Sequence, residues 1–320
     1  MNSIIKYLKL IRYKNLLIII LVQCLLKFTL INVYLDETGL SILNFSIYLF
    51  TLILIVSAGY IINDIYDVEI DKINKDNNQI IDNTINTKSA YKIYYILNFL
   101  SVLGAFYVAD NIGKVWFGFI FVYFIFSLWI YSKKYKKTLL IGNLQVAFLT
   151  GLSIFNLVIY DLLTISKEYN GTYIIQIIII AFSLFSFIMT FIREIIKDIE
   201  DIEGDKIFNS NTLPIKYGIK NAKKVAILLI IFTLSFLIYF QYFQFSVLNT
   251  TFSSNITYWG ANNISVFYTI LIELLLILLL KRISSSKTKL DFNNVSKICK
   301  YLMIIGILSI PIFTLSHLYI

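Results

Sequence analysis

"SILNFSIYLFTLILIVSAGYIINDIYDVEID" occupies residues 41–71. From Ser41 to Ile62 it carries no charged residue, and Asp64, Asp67, Glu69 and Asp71 then arrive in quick succession. A helix needs roughly 20 apolar residues to cross about 30 Å of hydrocarbon, and this run meets that length. In lipid each backbone polar group must be satisfied within its own segment, so the run reads as a spanning helix. Its acids therefore stand at a membrane boundary, where a cluster of like charges needs a reason.

The rest of the chain agrees with a membrane reading. Of 320 residues, 58% are hydrophobic and the mean hydropathy is +0.77, against about 45–50% apolar in soluble domains. Nine apolar stretches reach spanning length, near 15–35, 42–63, 93–110, 114–131, 139–160, 173–192, 225–245, 263–280 and 300–319. The expectation is an all-α, polytopic membrane bundle of nine transmembrane helices. No linker or second compositional regime appears, so residues 1–320 read as one domain. The first stretch is too long for a signal-peptide core and has no small-residue cleavage site after it, so it reads as a retained helix.

The net charge of +9 has a topological explanation that needs no nucleic acid. With the N-terminus in the cytoplasm, 25 of the 28 Lys and Arg fall in cytoplasmic segments. Lys114 and Lys167 lie outside, and Lys27 is within a span. This asymmetry sets the expected orientation. Lys27 and Glu273 both sit inside spans, where ionisable groups are costly and face the protein interior. Their similar depth from the cytoplasmic side would let the two long side chains meet or line one cavity; snorkelling to the interface is the alternative. Cys24 and Cys299 are too few for a disulfide framework or a metal-binding set.

The acids come twice. "NDIYDVEID" carries Asp64, Asp67 and Asp71; "KDIEDIEGD" carries Asp198, Asp201 and Asp205, and both read D-x-x-D-x-x-x-D. Eleven of the chain's 19 acids lie in residues 63–76 and 193–206. On a continuous helix such spacing puts three carboxylates on one face. The clusters follow the second and sixth spans, so both emerge on the same side. Converging carboxylates repel unless cations neutralise them, and oxygen-only ligands suit Mg²⁺, which keeps waters and binds together with phosphates. Lys72, Lys75, Arg193 and Lys197 stand nearby, as a bound diphosphate would need. A transporter or cation channel with acidic rings is the alternative of another class.

At these residues the chain resembles the UbiA superfamily of intramembrane prenyltransferases. "NDIYDVEID" is similar to the N-D-x-x-D-x-x-x-D motif at Asn63, Asp64, Asp67 and Asp71, and "REIIKDIEDIEGD" (193–205) to the second aspartate motif. "LIRYKN" (10–15), "YSKKYKKTLLIGN" (131–143) and "NTLPIKYG" (211–218) resemble three further segments of that superfamily. The resemblance implies a nine-helix fold in which Asn63, Asp64, Asp67, Asp71, Asp198, Asp201 and Asp205 hold Mg²⁺, the six aspartates being catalytic. It implies an allylic isoprenoid diphosphate as donor, with Lys75, Lys136, Arg193 and Lys197 as diphosphate cations, and Arg12, Asn15, Tyr131 and Asn143 lining the site. The second motif most resembles the branch whose acceptor is a lipid-like glycerol phosphate ether, geranylgeranylglyceryl phosphate. Other members prenylate an aromatic acceptor in quinone biosynthesis. The chain departs from the superfamily after the first motif, where Asn74 to Gln79 replace a segment containing proline and arginine.

Overall fold

The computed structural model describes residues 3–74, 80–165, 170–248, 256 and 259–319. Among these the only β feature is an isolated bridge between Ile81 and Ile85. Among the described residues nine helices are long and apolar enough to cross a membrane. In chain order the helices are α1 (Ser3–Leu10), α2 (Tyr13–Tyr34), α3 (Ile42–Tyr66), α4 (Val68–Asn74), α5 (Thr87–Asn111) and α6 (Gly118–Lys133). Then come α7 (Ile141–Leu162), α8 (Asn170–Glu200), α9 (Ile202–Ile207), α10 (Leu213–Tyr242), α11 (Asn263–Ser285) and α12 (Lys289–Tyr319). The short helices α1, α4 and α9 flank the spans.

The spanning helices outrun the apolar stretches. α8 continues helical to Glu200 and α12 begins at Lys289, because the polar residues at these ends keep helical backbone after hydropathy has fallen. α10 begins at Leu213 but is interrupted at Gly218, whose φ of 82° and ψ of 156° are open to glycine and strained for other residues.

The chain forms two compact units. The first holds residues 1–21, 39–146 and 201–216. Here α3 packs against both α5 and α6, α1 lies on α3, and α4 touches α9. Gly59 permits the close approach of α3 to α6, since a Cβ there would stand 2.8 Å from Leu128 Cδ1. A core of Leu10, Ala58, Ile61, Ile62, Ile65, Val68, Ile81, Ile85, Ala90 and Tyr94 lies beneath the acidic end of α3 and holds it in place.

The second unit holds residues 22–38, 147–200 and 217–320, with α12 packed on α8 and α11. Within it both α2 and α7 pass through π-helical turns, at Leu26–Ile31 and Val158–Leu162. Lys27 and Asp161 project from those turns and form an ion pair, Nζ to Oδ2 2.7 Å, at 1% and 0% side-chain exposure. One turn earlier, Gln23 Nε2 donates to the Ser153 carbonyl at 2.8 Å. The structure gives Lys27 the partner Asp161 rather than Glu273. α7 runs past residue 160 and carries Asp161 into the span, next to Lys27. Glu273 keeps one buried carboxylate oxygen without a hydrogen-bond partner among the described residues.

Candidate active site

Each aspartate motif is a helix, a break and a second helix. α3 stops at Tyr66, Asp67 takes φ −94° and ψ 0°, and α4 starts at Val68. α8 stops at Glu200, Asp201 takes φ −96° and ψ 10°, and α9 starts at Ile202. Both central aspartates occupy the sparsely populated bridge region, where active-site residues recur. The expectation of one uninterrupted acidic helical face is corrected accordingly. The break turns the chain at the middle carboxylate, so the outer two come from different helices. The Asp71 and Asp205 amides each bond back to the carbonyl of the central aspartate, at 2.7 and 3.1 Å, which ties each second helix to its break.

In the first unit both motifs meet. Asp64, Asp67, Asp71 and Asp205 are buried, at 9%, 3%, 7% and 9% exposure, and Asp201 is half-buried. Asn63 Nδ2 donates to Asp67 Oδ2 at 2.7 Å. Lys136 Nζ pairs with the same oxygen and also acts electrostatically on Asp71 and Asp205. Burial would lower the Lys136 pKa, but Asp67, Tyr131 and Asp71 together drive it above the ordinary lysine value. Burial pushes the Asp205 carboxyl up to about 6; Lys136 and Lys137 oppose the rise, while Asp201 and Asp67 add to it. Lys136 therefore lies within the field of carboxylates from both motifs.

The remaining contacts explain the shorter segments. Arg12 Nη2 donates to Asp64 Oδ1 at 2.7 Å, and its guanidinium lies 4.8 Å from the centre of the Tyr60 ring. Burial works against the Arg12 charge, but Asp64, Tyr60 and Asp67 hold its pKa above the usual value. Asn15 Nδ2 donates to the Tyr60 hydroxyl at 3.2 Å. Lys136 sits in the 3₁₀ turn Tyr135–Lys137, which docks onto the first turn of α7. A Cβ on Gly142 would stand 2.5 Å from the Tyr135 carbonyl oxygen, so only glycine lets the turn come this close. Asn143, the next residue, is buried at the same place, and Tyr131 is half-buried. The Asn211 amide donates to the Lys137 carbonyl at 2.8 Å, joining the segment after the second motif to the lysine turn.

Arg193, Lys197 and Asp198 lie on α8 in the second unit. There Arg193 and Lys197 both donate to Glu194 Oε1, at 3.0 and 3.4 Å. Lys75 lies outside the described residues. The sequence reading missed Tyr60, which carries both Arg12 and Asn15. It also missed Ser210 and Thr212. Their hydroxyls, with Asn63 Oδ1, are buried without a hydrogen-bond partner among the described residues. Nothing in a single chain marks Ser210, whereas Thr212 lies within the quoted segment 211–218; an aromatic one turn before the first aspartate was the only clue to Tyr60.

The donor set is chemically right for Mg²⁺: carboxylate, amide and hydroxyl oxygens, with no thiolate or imidazole. Among the described residues no three acidic, His or Cys side chains converge into a ready cage. Mg²⁺ does not need one, because it binds through one or two carboxylates and completes its shell with waters and phosphate oxygens.

Known proteins share this architecture. The UbiA prenyltransferase family model matches residues 25–285. The digeranylgeranylglyceryl phosphate synthase of Methanosphaera stadtmanae is 39% identical over 202 residues, covering 62% of this chain and 68% of that protein. A solved structure of a digeranylgeranylglyceryl phosphate synthase matches with TM-score 0.62 and 26% identity, over 99% of this chain and 100% of that one. A UbiA homologue from Archaeoglobus fulgidus, bound to DMAPP and Mg²⁺, shares the fold with TM-score 0.57 at 15% identity, over 95% and 99% of the two chains. With nine candidate spans among the described residues, paired aspartate motifs and these matches, the chain is an intramembrane transferase by class. The chain belongs to the UbiA prenyltransferase family.

Proposed function

We propose that the protein transfers a geranylgeranyl group from its diphosphate to the free hydroxyl of geranylgeranylglyceryl phosphate, in a Mg²⁺-dependent reaction on the cytoplasmic side of the membrane. The observation that carries this reading is Lys136, bonded to Asp67 of the first motif and within the field of Asp205 of the second. Asn63, Asp64, Asp67, Asp71, Asp201 and Asp205 would hold the metal; Asp198, Arg193 and Lys197 are assigned by the motif alone. When bound, the metal supplies neutralisation of the charge that builds on the leaving diphosphate.

The chain's own groups account for the rest. Arg12 and Lys136 grip diphosphate oxygens, and the buried hydroxyls of Ser210 and Thr212 and the amide of Asn63 offer polar contacts at its edge. The allylic C–O bond to diphosphate breaks, the acceptor oxygen bonds to the freed carbon, and the hydroxyl proton leaves with the solvent or the diphosphate. Burial of the aspartates keeps bulk water from capturing the allylic carbon. The glycerol phosphate acceptor is supported by the names of relatives 26–39% identical to this chain. The cytoplasmic placement, with the N-terminus on the same side, is supported by the distribution of lysine and arginine.

The test is to incubate purified protein, Mg²⁺ and labelled donor separately with geranylgeranylglyceryl phosphate, hydroxybenzoate and dihydroxynaphthoate, and to identify the products by mass. The reading predicts the glycerol ether. A prenylated aromatic with no ether would replace the acceptor and leave the prenyltransferase standing.

A further inference from the structure

Two of the chain's own cations already sit on the carboxylates that would hold the metal. Arg12 Nη2 lies 2.7 Å from Asp64 Oδ1, and Lys136 pairs with Asp67 Oδ2. Each cation already neutralises the charge that would draw a metal to its carboxylate, so cation and metal compete for it. Arg12 has somewhere to go. Its φ of 52°, between α1 and α2, is a strained conformation for a residue other than glycine, of the kind found at ligand clamps. The Tyr60 ring, 4.8 Å away, supports the guanidinium independently of Asp64. Lys136 sits on a short turn held by backbone contacts, so its side chain swings without moving a helix. No described trio of acids forms a cage that would win a metal ion by itself.

We infer that Arg12 and Lys136 are exchangeable counter-ions that make metal loading depend on the diphosphate. The diphosphate draws both cations off Asp64 and Asp67, and those carboxylates then receive Mg²⁺. The inference rests on the proposed function and adds an order of loading to it. It has a consequence of unusual sign: removing either cation strengthens metal binding when no diphosphate is present and weakens it when diphosphate is present.

The experiment titrates Mn²⁺, read by electron paramagnetic resonance, into full-length protein in detergent. It is done with and without a thiolodiphosphate analogue of the donor that does not ionise. With Mn²⁺ alone, Arg12→Gln and Lys136→Gln should each bind about fivefold or more tighter than wild type, the low end of ordinary coupling between sites. With the analogue present the order should reverse. Arg282→Gln, which removes an exposed positive charge elsewhere, should change neither titration. Thermal melting confirms folding, and if one variant does not fold the other carries the test. Variants that bind Mn²⁺ alone no tighter than wild type overturn the inference, because the cations are then fixed supports. If wild type itself binds no Mn²⁺ beside the analogue, the inference and the proposed function fail together.

Discussion

Asp67 and Asp201 share nearly the same backbone angles, one in each motif, and both sit at a helix break. That correspondence argues for equivalent roles at opposite sides of one diphosphate. Asp67→Ala and Asp201→Ala should therefore each lower turnover by about a hundredfold or more, a loss typical of removing one preorganised electrostatic contact. Pyrophosphate release measures this, and a circular dichroism melt shows that the fold remains. Full activity in either variant would remove that aspartate from the site. Asp205 makes a separate prediction. Its metal-free carboxyl is held up to about 6 by burial and by Asp201 and Asp67. A metal ligand must be deprotonated, so below that value binding has to expel a proton. Mg²⁺ affinity measured with the donor analogue should be flat above about pH 7 and fall as pH drops below 6. Asp205→Asn should lose the part of that fall that the analogue's own terminal phosphate, which also titrates at about pH 6, does not supply. The same pH profile in the variant would assign the titration to another group.

Among the elements, α2 and α7 both loosen into π turns where Lys27 and Asp161 meet. Such turns often mark functional or packing-constrained positions. A buried pair that loses one partner leaves an uncompensated charge, at about 3–5 kcal/mol. Lys27→Met and Asp161→Leu should each destabilise strongly, while the double variant should recover much of the loss. Thermal unfolding of the four proteins in detergent decides, and strict additivity would mean that the two side chains do not interact. The spans themselves were legible because twenty apolar residues in a row leave little choice in lipid. The partner of Lys27 was not, since it depends on whether α7 ends at Tyr160 or carries one residue more. The bend at Asp67 was equally hidden. No glycine or proline marks it, and "NDIYDVEID" reads as unbroken helix. The spacing of the two acidic motifs was readable, whereas Tyr60 became visible only through its contacts with Arg12 and Asn15, and Ser210 and Thr212 only through the burial of their hydroxyls.

For the molecule as a whole, the distribution of lysine and arginine supports the proposed orientation, with the N-terminus in the cytoplasm. In a variant lacking Cys24 and Cys299, a cysteine replacing Lys6 should react with an impermeant maleimide only from the cytoplasmic side. A cysteine replacing Lys114 should react only from the opposite side, and labelling of both from one side would reject the orientation. The central claim is a coupled reaction: one allylic diphosphate cleaved for each prenyl ether made, with metal and both motifs required. The direct measurement uses purified protein in lipid vesicles with labelled geranylgeranyl diphosphate and geranylgeranylglyceryl phosphate. Pyrophosphate and ether are counted in the same samples, with and without chelator. The account predicts equal amounts of the two, and neither with chelator or in Asp67→Ala. Ether formation that persists in chelator, or pyrophosphate release of the same rate without acceptor, would contradict it.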